Sequence, residues 1–283
     1  MRQGLVNPMQ ASLTPIDNLA SNSEILSLRQ SIRQGSFQGH TAGLAKGVLQ
    51  ANLVIVPEKN ALDFMRFCQR NPKPCPLVGV SNTGDPMLET LGLDLDVRTD
   101  VPAYNIYREG ELTESVTELT GLWQDDHVAF ALGCSFTFEA ALVAAEIPVW
   151  HVEHNRNVPM YRSNIMTCPS GPFAGEMVVT MRAIDRNRVD DAVKISQRYP
   201  LAHGGPVHIG DPADIGIGDL TQPEWGDTPP PVDNKIPVYW ACGVTPQNAL
   251  MSAKLPLAIT HKPGHMLITD IDETAEVPVL NYL

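Results

Sequence analysis

The chain has 283 residues, 43% of them hydrophobic and 18% charged, so it can bury a large core and lies near the length at which one core divides into two. Its 32 acidic and 20 basic residues give a formal net charge of -12, which argues against nucleic acids and anionic membrane surfaces as partners. No run approaches the roughly 20 apolar residues of a membrane span, and the N-terminus lacks a secretory pattern. We therefore expect a cytoplasmic protein.

Short buried strands followed by helices recur along the first half of the chain. Apolar runs bounded by proline or glycine predict the strands, and apolar positions three or four residues apart predict the helices. The expected elements are an irregular stretch over 1–22, a helix from Ser23, a strand over 52–56, a helix over 61–70, a strand over 77–80, a helix that Asp85 caps and Pro86 begins, and a strand over 127–132.

The second half begins with a different order of elements. We expect a helix over 136–146, a strand near 148–152, a strand over 176–181, a helix from Val189 to Tyr199, a surface loop over 225–237, a strand over 237–241, and a helix that Thr245 caps. Helix, strand, strand, helix without a parallel crossover predicts an α+β unit with a sheet of its own. The fold class is therefore predicted as α/β, with a discontinuous three-layer α/β domain over 1–134 and 201–283 and a smaller inserted α+β domain over 135–200.

Three tight turns precede predicted helices, at 81–84, 133–135 and 242–245. Helix starts present unpaired N–H groups, and in an open α/β sheet the loops at the ends of the parallel strands gather around ligands. We expect these turns to bind a carboxylate or an oxyanion, and Ser135 and Gly243 to be substrate-binding residues.

Cys134 lies in the middle of one of these turns. A helix start lowers the pKa of a thiol, which makes Cys134 a candidate catalytic nucleophile or acid, with Glu139 one turn further on as a second catalytic group. A buried small side chain at a crowded turn is the alternative. The five cysteines include no CxxC pair, so free thiols are expected.

Histidines are concentrated in the last third of the chain. In HGGPVHIGDP (203–212) we expect Asp211 to orient His208 as a general base. His261 and His265 are predicted at the substrate site. Their spacing also fits a zinc helix, but proline and glycine between them argue against a helix. No metal or other cofactor is expected, although a metal site stays the less favoured alternative, as it does for His151.

Arginine is the residue best suited to hold a carboxylate through two parallel hydrogen bonds. Arg98 and Arg162 are the predicted substrate-binding arginines, and Arg182 is a third candidate. An internal ion pair with Asp96 is the alternative for Arg98. The motifs of phosphate-binding loops, dinucleotide-binding folds and serine hydrolases are absent from the sequence.

Eight segments together resemble the D-glutamate cyclase family, whose bacterial members carry the name hydro-lyase. The segments are QANLVIVP (50–57), RTDVPAYNIYREG (98–110), LWQDDHVAFALGCSFTFEAAL (122–142), NVPMYRSNI (157–165), GEMVVTMR (175–182), HGGPVHIGDP (203–212), WACGVTPQNAL (240–250) and ITHKPGHMLITD (259–270). They cover most of the chain after about residue 40. Two details depart from the family pattern: Glu176 stands where proline is expected, and no glycine precedes Asn157.

The resemblance implies a two-domain fold and reversible conversion of D-glutamate to 5-oxo-D-proline and water. An arginine would bind one substrate carboxylate, His208 would accept the ammonium proton, backbone donors would hold the oxyanion, and Cys134 or Glu139 would protonate the departing hydroxide. A dehydratase of a hydroxy acid and a non-catalytic binding module for small acids remain alternatives. The expected partner is a small carboxylate, and the oligomeric state, a homo-oligomer included, stays open.

Overall fold

The computed structural model describes residues 19–276, and their side chains from Ser23 onward. The prediction for residues 1–18 lies outside this range. The α-helices are α1 (Leu19–Arg33), α2 (Glu58–Arg70), α3 (Phe136–Ala144), α4 (Trp150–Glu153), α5 (Val189–Ser196) and α6 (Thr245–Ala253). The strands are β1 (Val48–Pro57), β2 (Leu77–Val80), β3 (Tyr104–Arg108), β4 (Glu111–Val116), β5 (His127–Gly133), β6 (Met160–Met166), β7 (Glu176–Asp185), β8 (His208–Ile209), β9 (Lys235–Ala241), β10 (Ala258–His261) and β11 (Leu267–Asp272).

Seven strands form a large sheet in the order β2-β5-β1-β10-β3-β4, with β11 also paired to β1. Strand β1 lies at the centre of this sheet, and nine of its ten residues are buried as a result. Its alternate side chains enter different cores: Leu53 and Ile55 pack on one face, and Val54 and Val56 pack on the other face, against α2 and α6. A strand buried on both faces reads as a continuous apolar run, as its sequence does.

A second sheet has the order β6-β7-β9-β8. One of its faces packs on α3 and α5 through a cluster that includes Phe138 and Trp240. Strand β9 pairs with β7 over seven residues, so this sheet joins strands from both sides of residue 200. The expectation that residues 135–200 carry a sheet of their own is therefore wrong, while the division of the chain into domains stays a prediction.

The α/β class is confirmed, since helices pack on two sheets of mixed sequence order. All strand pairings among residues 19–276 are antiparallel, which corrects the expectation of parallel strand ends. The predicted helix at Pro86 is wrong: turns and a β-bridge between Met87 and Asp96 stand there, and Leu91 is buried against the large sheet instead. The predicted strand at 148–152 is also wrong, because α4 occupies most of it.

The two sheets meet at a small apolar cluster that includes Cys134, Phe136, Val178, Cys242 and Met266. Strand β5 of the large sheet and strand β9 of the second sheet both end here, and each is followed directly by a turn and a helix. This junction therefore brings the ends of the two sheets and the starts of α3 and α6 together.

Candidate active site

Two of the three predicted turns, 133–135 and 242–244, meet beside Asn52 of β1. The Asn52 amide Nδ2 donates to the carbonyl oxygens of Leu132 and Gly133, at 3.2 and 2.9 Å. A Cβ atom on Gly243 would lie 2.0 Å from Asn52 Nδ2, and one on Gly133 would lie 1.6 Å from the carbonyl oxygen of Leu201. Both turns need glycine because neighbouring atoms occupy the space of a side chain.

A cavity lies between these turns, and we refer to it as the inner cavity. It leaves about 10 Å³ for a water-sized molecule, which is about enough for one water. Both polar and apolar residues line it. The lining residues are Asn52, Cys134, Ser135, Phe136, Val158, Met160, Thr180, His203, Cys242, Gly243, Val244, His261, Gly264 and Met266.

His203 offers the inner cavity an unprotonated ring nitrogen. Its Nδ1 lies 2.8 Å from the carbonyl oxygen of Lys73, so Nδ1 carries the proton of the neutral ring and Nε2 keeps its lone pair. His203 Nε2 is buried and has no hydrogen-bond partner among the described residues. Burial lowers the pKa of His203 to about 4, so the ring is neutral near pH 7 and Nε2 can accept a proton.

His261 complements His203 from β10. The Leu53 N–H points at His261 Nδ1 from 3.1 Å, and Gln247 Nε2 lies 3.5 Å from the same atom. The Leu53 carbonyl oxygen is 3.2 Å away, but two donors facing Nδ1 favour placing the ring proton on Nε2. His261 Nε2 is buried and unpartnered in the described structure, and burial lowers the pKa of His261 to about 4. The inner cavity therefore has a neutral proton acceptor and a neutral proton donor.

Backbone donors lie at both helix starts. The Cys134 and Cys242 amides are bonded to the carbonyl oxygens of Gln50 and Val178, whereas those of Ser135 and Gly243 have no acceptor within residues 19–276. Amides at the start of a helix favour an anion or a developing oxyanion. The substrate-binding roles of Ser135 and Gly243 stay a prediction, and these two unpaired amides are its structural basis.

The two cysteines of the inner cavity are protonated near neutral pH. Burial raises the pKa of Cys134, and the Phe136 amide, which donates to the sulfur, offsets only part of that effect. Burial likewise raises the pKa of Cys242 to about 11. The expectation that the helix start lowers the Cys134 pKa is wrong, because removal from water outweighs the helix terminus. A neutral thiol is a poor nucleophile and a weak acid.

Glu139 lies behind the cavity wall in a buried polar group that we call the Glu139 cluster, formed with His151, Arg182 and Ser135. Glu139 Oε1 bonds His151 Nε2 at 2.7 Å and Arg182 Nε at 3.1 Å, with a closer contact to Arg182 Nη2. Arg182 Nη2 also donates to Ser135 Oγ at 3.1 Å. Because Ser135 Oγ receives this bond, its own hydroxyl proton is free for a ligand.

The charge state of Glu139 follows from these contacts. Burial by itself favours the protonated carboxyl, but the charges and hydrogen bonds of His151 and Arg182 outweigh it and lower the pKa of Glu139. Glu139 is therefore ionised near pH 7 and cannot serve as the predicted general acid. It instead holds Arg182, which in turn holds the Ser135 hydroxyl.

Besides Glu139, five predicted residues lie outside the inner cavity. His208 Nε2 contacts the backbone carbonyl of Asp211 at 2.8 Å, and the Asp211 carboxylate accepts from the Ala213 amide, so the expected orientation of His208 by that carboxylate is wrong. Arg98 forms its internal ion pair with Asp96, with N–O distances down to 2.7 Å. Arg162 is exposed over Trp225, and His265 Nδ1 contacts the carbonyl oxygen of Pro263.

His203, Asn52 and the Glu139–Arg182 pair are the site residues that sequence reasoning missed or left unconnected. His203 and His208 both belong to the motif HGGPVHIGDP, and each is followed by glycine within two residues. The motif alone therefore gave no reason to prefer one of them as the general base. Arg182 was a carboxylate-binding candidate, yet its carboxylate partner comes from this chain. For Asn52 the sequence did carry a signal, because it is a polar residue at the start of the apolar run NLVIV.

A second, larger cavity borders the first, and we call it the outer cavity. It has a volume of about 580 Å³, which is within the range of small-molecule sites. Phe136 lines both cavities. The other lining residues are Gly43, Leu44, Ala45, Lys46, Thr137, Glu139, Ala140, Ala141, Val143, Ala144, Val152 and Glu273.

The described residues contain neither a metal-ligand cluster nor a membrane-spanning helix. No three histidine, cysteine, aspartate or glutamate side chains between Ser23 and Glu276 lie close enough together to hold a metal ion. No helix within residues 19–276 has the length and apolar character needed to span a bilayer. His151, a metal-ligand alternative, bonds Glu139 instead.

A sequence model described as D-glutamate cyclase matches residues 128–270, a range that contains every residue of the inner cavity except Asn52. A protein of Dinoroseobacter shibae named "Putative hydro-lyase" is 64% identical over 253 residues, which are 89% of this chain and 84% of the relative. Relatives with the same name from Ruegeria pomeroyi and Jannaschia sp. are each 60% identical, covering 91% and 92% of this chain and 94% and 98% of their own lengths.

Among solved structures, the crystal structure of a nitrogen repressor-like protein from Methanococcus jannaschii aligns with 87% of this chain and 96% of its own. The TM-score is 0.37 and the sequence identity 10%.

Proposed function

This chain belongs to the D-glutamate cyclase family, and from that premise we propose that it is a hydro-lyase that removes water from a small acid. The substrate that we propose is D-glutamate, which would close reversibly to 5-oxo-D-proline. The observation that carries the proposal is the pair of buried, neutral imidazoles of His203 and His261, which line one cavity between two helix starts and whose Nε2 atoms have no partner among the described residues.

The reaction needs a base for the substrate ammonium. Ring closure forms a bond from the amine nitrogen to the side-chain carboxyl carbon and breaks a C–O bond of that carboxyl group. Two of the three ammonium protons leave with the departing oxygen as water, so no net acid or base is consumed. His203 Nε2 has a lone pair that can accept the first of these protons and return it to the oxygen, and the negative carboxylates of a bound substrate would raise the pKa of His203 from about 4 towards that of an effective base.

The departing oxygen and the developing oxyanion need donors. His261 Nε2–H is suited to donate to the carboxyl oxygen that leaves, and the Ser135 and Gly243 amides are suited to stabilise the oxygen that stays. The Ser135 hydroxyl, held by Arg182, can donate to a substrate carboxylate. Cys134 then acts as a neutral wall of the site and forms no acyl intermediate.

Turnover of D-glutamate by purified protein tests the proposal, with 5-oxoproline followed by chromatography. His203→Asn and His261→Asn should each lower kcat/KM by about 10²–10⁴-fold, the usual contribution of a general acid or base. His154→Asn is the matched control, because His154 is an exposed histidine that contacts the Trp150 carbonyl oxygen. A loss of activity in His208→Asn, with none in His203→Asn, would reject His203 as the base and favour His208 in that role.

The name hydro-lyase also covers dehydration of a hydroxy acid, and the same base and donor could serve that reaction. A panel of small hydroxy acids, watched for alkene absorbance, separates the two reactions. Turnover of a hydroxy acid without turnover of D-glutamate would reject cyclisation and keep the hydro-lyase assignment. Tight binding without turnover of any compound would reject both in favour of a binding module.

A further inference from the structure

The inner cavity is too small for the reaction that we propose. Its 10 Å³ accommodates about one water, whereas glutamate has ten non-hydrogen atoms. Yet two buried imidazole nitrogens border it without partners, and leaving buried polar groups unpaired is unfavourable unless a ligand or water meets them. The walls must therefore move for a substrate to reach His203 and His261.

Phe136 is the residue that lines both cavities. It is the first residue of α3, directly after the Cys134-Ser135 turn, and 5% of its surface is exposed. It packs in the apolar cluster at the sheet junction, and its ring centroid lies 6.2 Å from that of His151. No hydrogen bond can fix an aromatic hydrocarbon, so rotation of this ring has only packing to overcome.

The outer cavity has the features of a substrate chamber. Most of its wall is apolar surface of α3 and of the loop over 43–46, and Glu139 supplies a carboxylate whose Oε2 is buried without a partner in the described structure. Lys46 supplies a cation. Glu273 supplies a second carboxylate, so the cavity wall carries groups of both charges, as an amino acid in its zwitterionic form requires.

We propose that the outer cavity is the chamber through which a small amino acid reaches the inner cavity, and that Phe136 separates the two and limits which acids pass. The proposal deepens and rests on the hydro-lyase function above. It assigns the outer cavity a role in substrate access and makes Phe136 a specificity-determining residue of the site.

The test uses the cysteines as reporters and needs no turnover. Cys134 and Cys242 line the inner cavity, whereas Cys68 and Cys75 are buried in a different core. Alkylation by iodoacetamide at pH 9, followed for each cysteine by peptide mass spectrometry, measures access to each place. Phe136→Ala should speed labelling of Cys134 and Cys242 at least about tenfold, equivalent to about 1.4 kcal/mol less to open the path, and leave Cys68 and Cys75 unchanged.

Ala140→Trp gives the opposite perturbation. Ala140 lines only the outer cavity, so a bulky ring there should slow labelling of Cys134 and Cys242 several-fold. Ala213→Trp is the matched control, because Ala213 is an exposed alanine away from both cavities. If Phe136→Ala speeds labelling of all four buried cysteines, that variant is unfolding, and Ala140→Trp alone decides.

Labelling of Cys134 and Cys242 that Ala140→Trp leaves unchanged overturns the proposal. So does an acceleration in Phe136→Ala that does not exceed that of Cys68 and Cys75 in a folded protein. Both results are independent of D-glutamate turnover, so a wrong substrate and a wrong access route give different outcomes. With an active substrate in hand, Phe136→Ala should also widen the range of acids accepted.

Discussion

Replacing Glu139 by glutamine removes one buried negative charge and changes little else in shape. The Glu139 side chain is 2% exposed, as is that of its partner Arg182. Glutamine keeps an acceptor oxygen for His151 and Arg182, but the guanidinium is left in the protein interior without an ionic partner. Because an unpaired buried charge is strongly unfavourable, we expect the Glu139→Gln variant to be less stable than the wild type.

The magnitude follows from what Arg182 keeps. Removing one member of a buried ion pair costs about 3–5 kcal/mol. Arg182 retains hydrogen bonds to Thr180 Oγ1 at 3.0 Å and Ser135 Oγ at 3.1 Å, and it lies 5.2 Å from the ring centroids of both Phe138 and Trp240. These contacts place the expected loss at the lower end, about 3 kcal/mol, or a fall in Tm of about 5–10 °C for a chain of this size.

Urea unfolding at pH 7, followed by circular dichroism, measures this loss. Glu153→Gln on the exposed surface of α4 is the control and should stay within about 0.5 kcal/mol of the wild type. Adding Arg182→Met to Glu139→Gln removes the uncompensated charge, so the double variant should be more stable than Glu139→Gln alone. A loss below about 1 kcal/mol in Glu139→Gln, or a double variant in which the two losses add, refutes the reasoning.

Three further predictions concern other parts of the fold. The pKa of His203 and of His261 is near 6.5 in the unfolded chain and about 4 in the folded chain, so below pH 6.5 the unfolded chain binds protons that the folded chain does not. The free energy of unfolding should therefore fall between pH 6.5 and 4 by about 3 kcal/mol per histidine. Urea unfolding across this pH range should show a smaller fall in His203→Asn than in the wild type. Gly243→Ala should lose about 1–3 kcal/mol through overlap with Asn52, and Asn52→Ala in the same chain should be less than additive in a double-mutant cycle. Arg29 of α1 forms ion pairs with Asp94 and Asp270, which attach this helix to the rest of the fold. Arg29→Ala should therefore speed amide hydrogen exchange in α1 without changing kcat/KM.

Local sequence patterns predicted most of the helices and the strands β1, β2, β5, β7 and β9. The run NLVIV lies in the central strand because a continuous apolar run needs cover on both faces. Apolar spacing predicted α1, α2 and α5, and the tight turns that precede them predicted α3 and α6. At Pro86 the predicted cap is present, since Asp85 Oδ1 accepts a hydrogen bond from the Met87 amide at 3.0 Å. The predicted helix is absent, because the leucines that follow are buried in the core from turns. Capping chemistry starts a turn, and packing decides whether a helix follows.

The sequence analysis did not predict the strands β3, β4, β6, β10 and β11, which range from buried to exposed. Strand β4 is an exposed edge strand, and β6 alternates buried with exposed residues next to β7. Such strands are stabilised by pairing with a neighbour that is distant in sequence, so a window of neighbouring residues carries little sign of them. The antiparallel pairing of β1 with β5, β10 and β11 is likewise invisible in any local run.

Sequence patterns are enough to predict the α/β class, the family, the two glycine turns at 133 and 243 and the buried central strand, because each depends on residues close together in the chain. The fold decided which histidines meet: His203 and His261, 58 residues apart in sequence numbering, share one cavity, whereas His208 lies outside it. It also decided that Cys134 is protonated and Glu139 is charged. Burial and ion pairing set those states, and both arise from chain segments that meet only after folding.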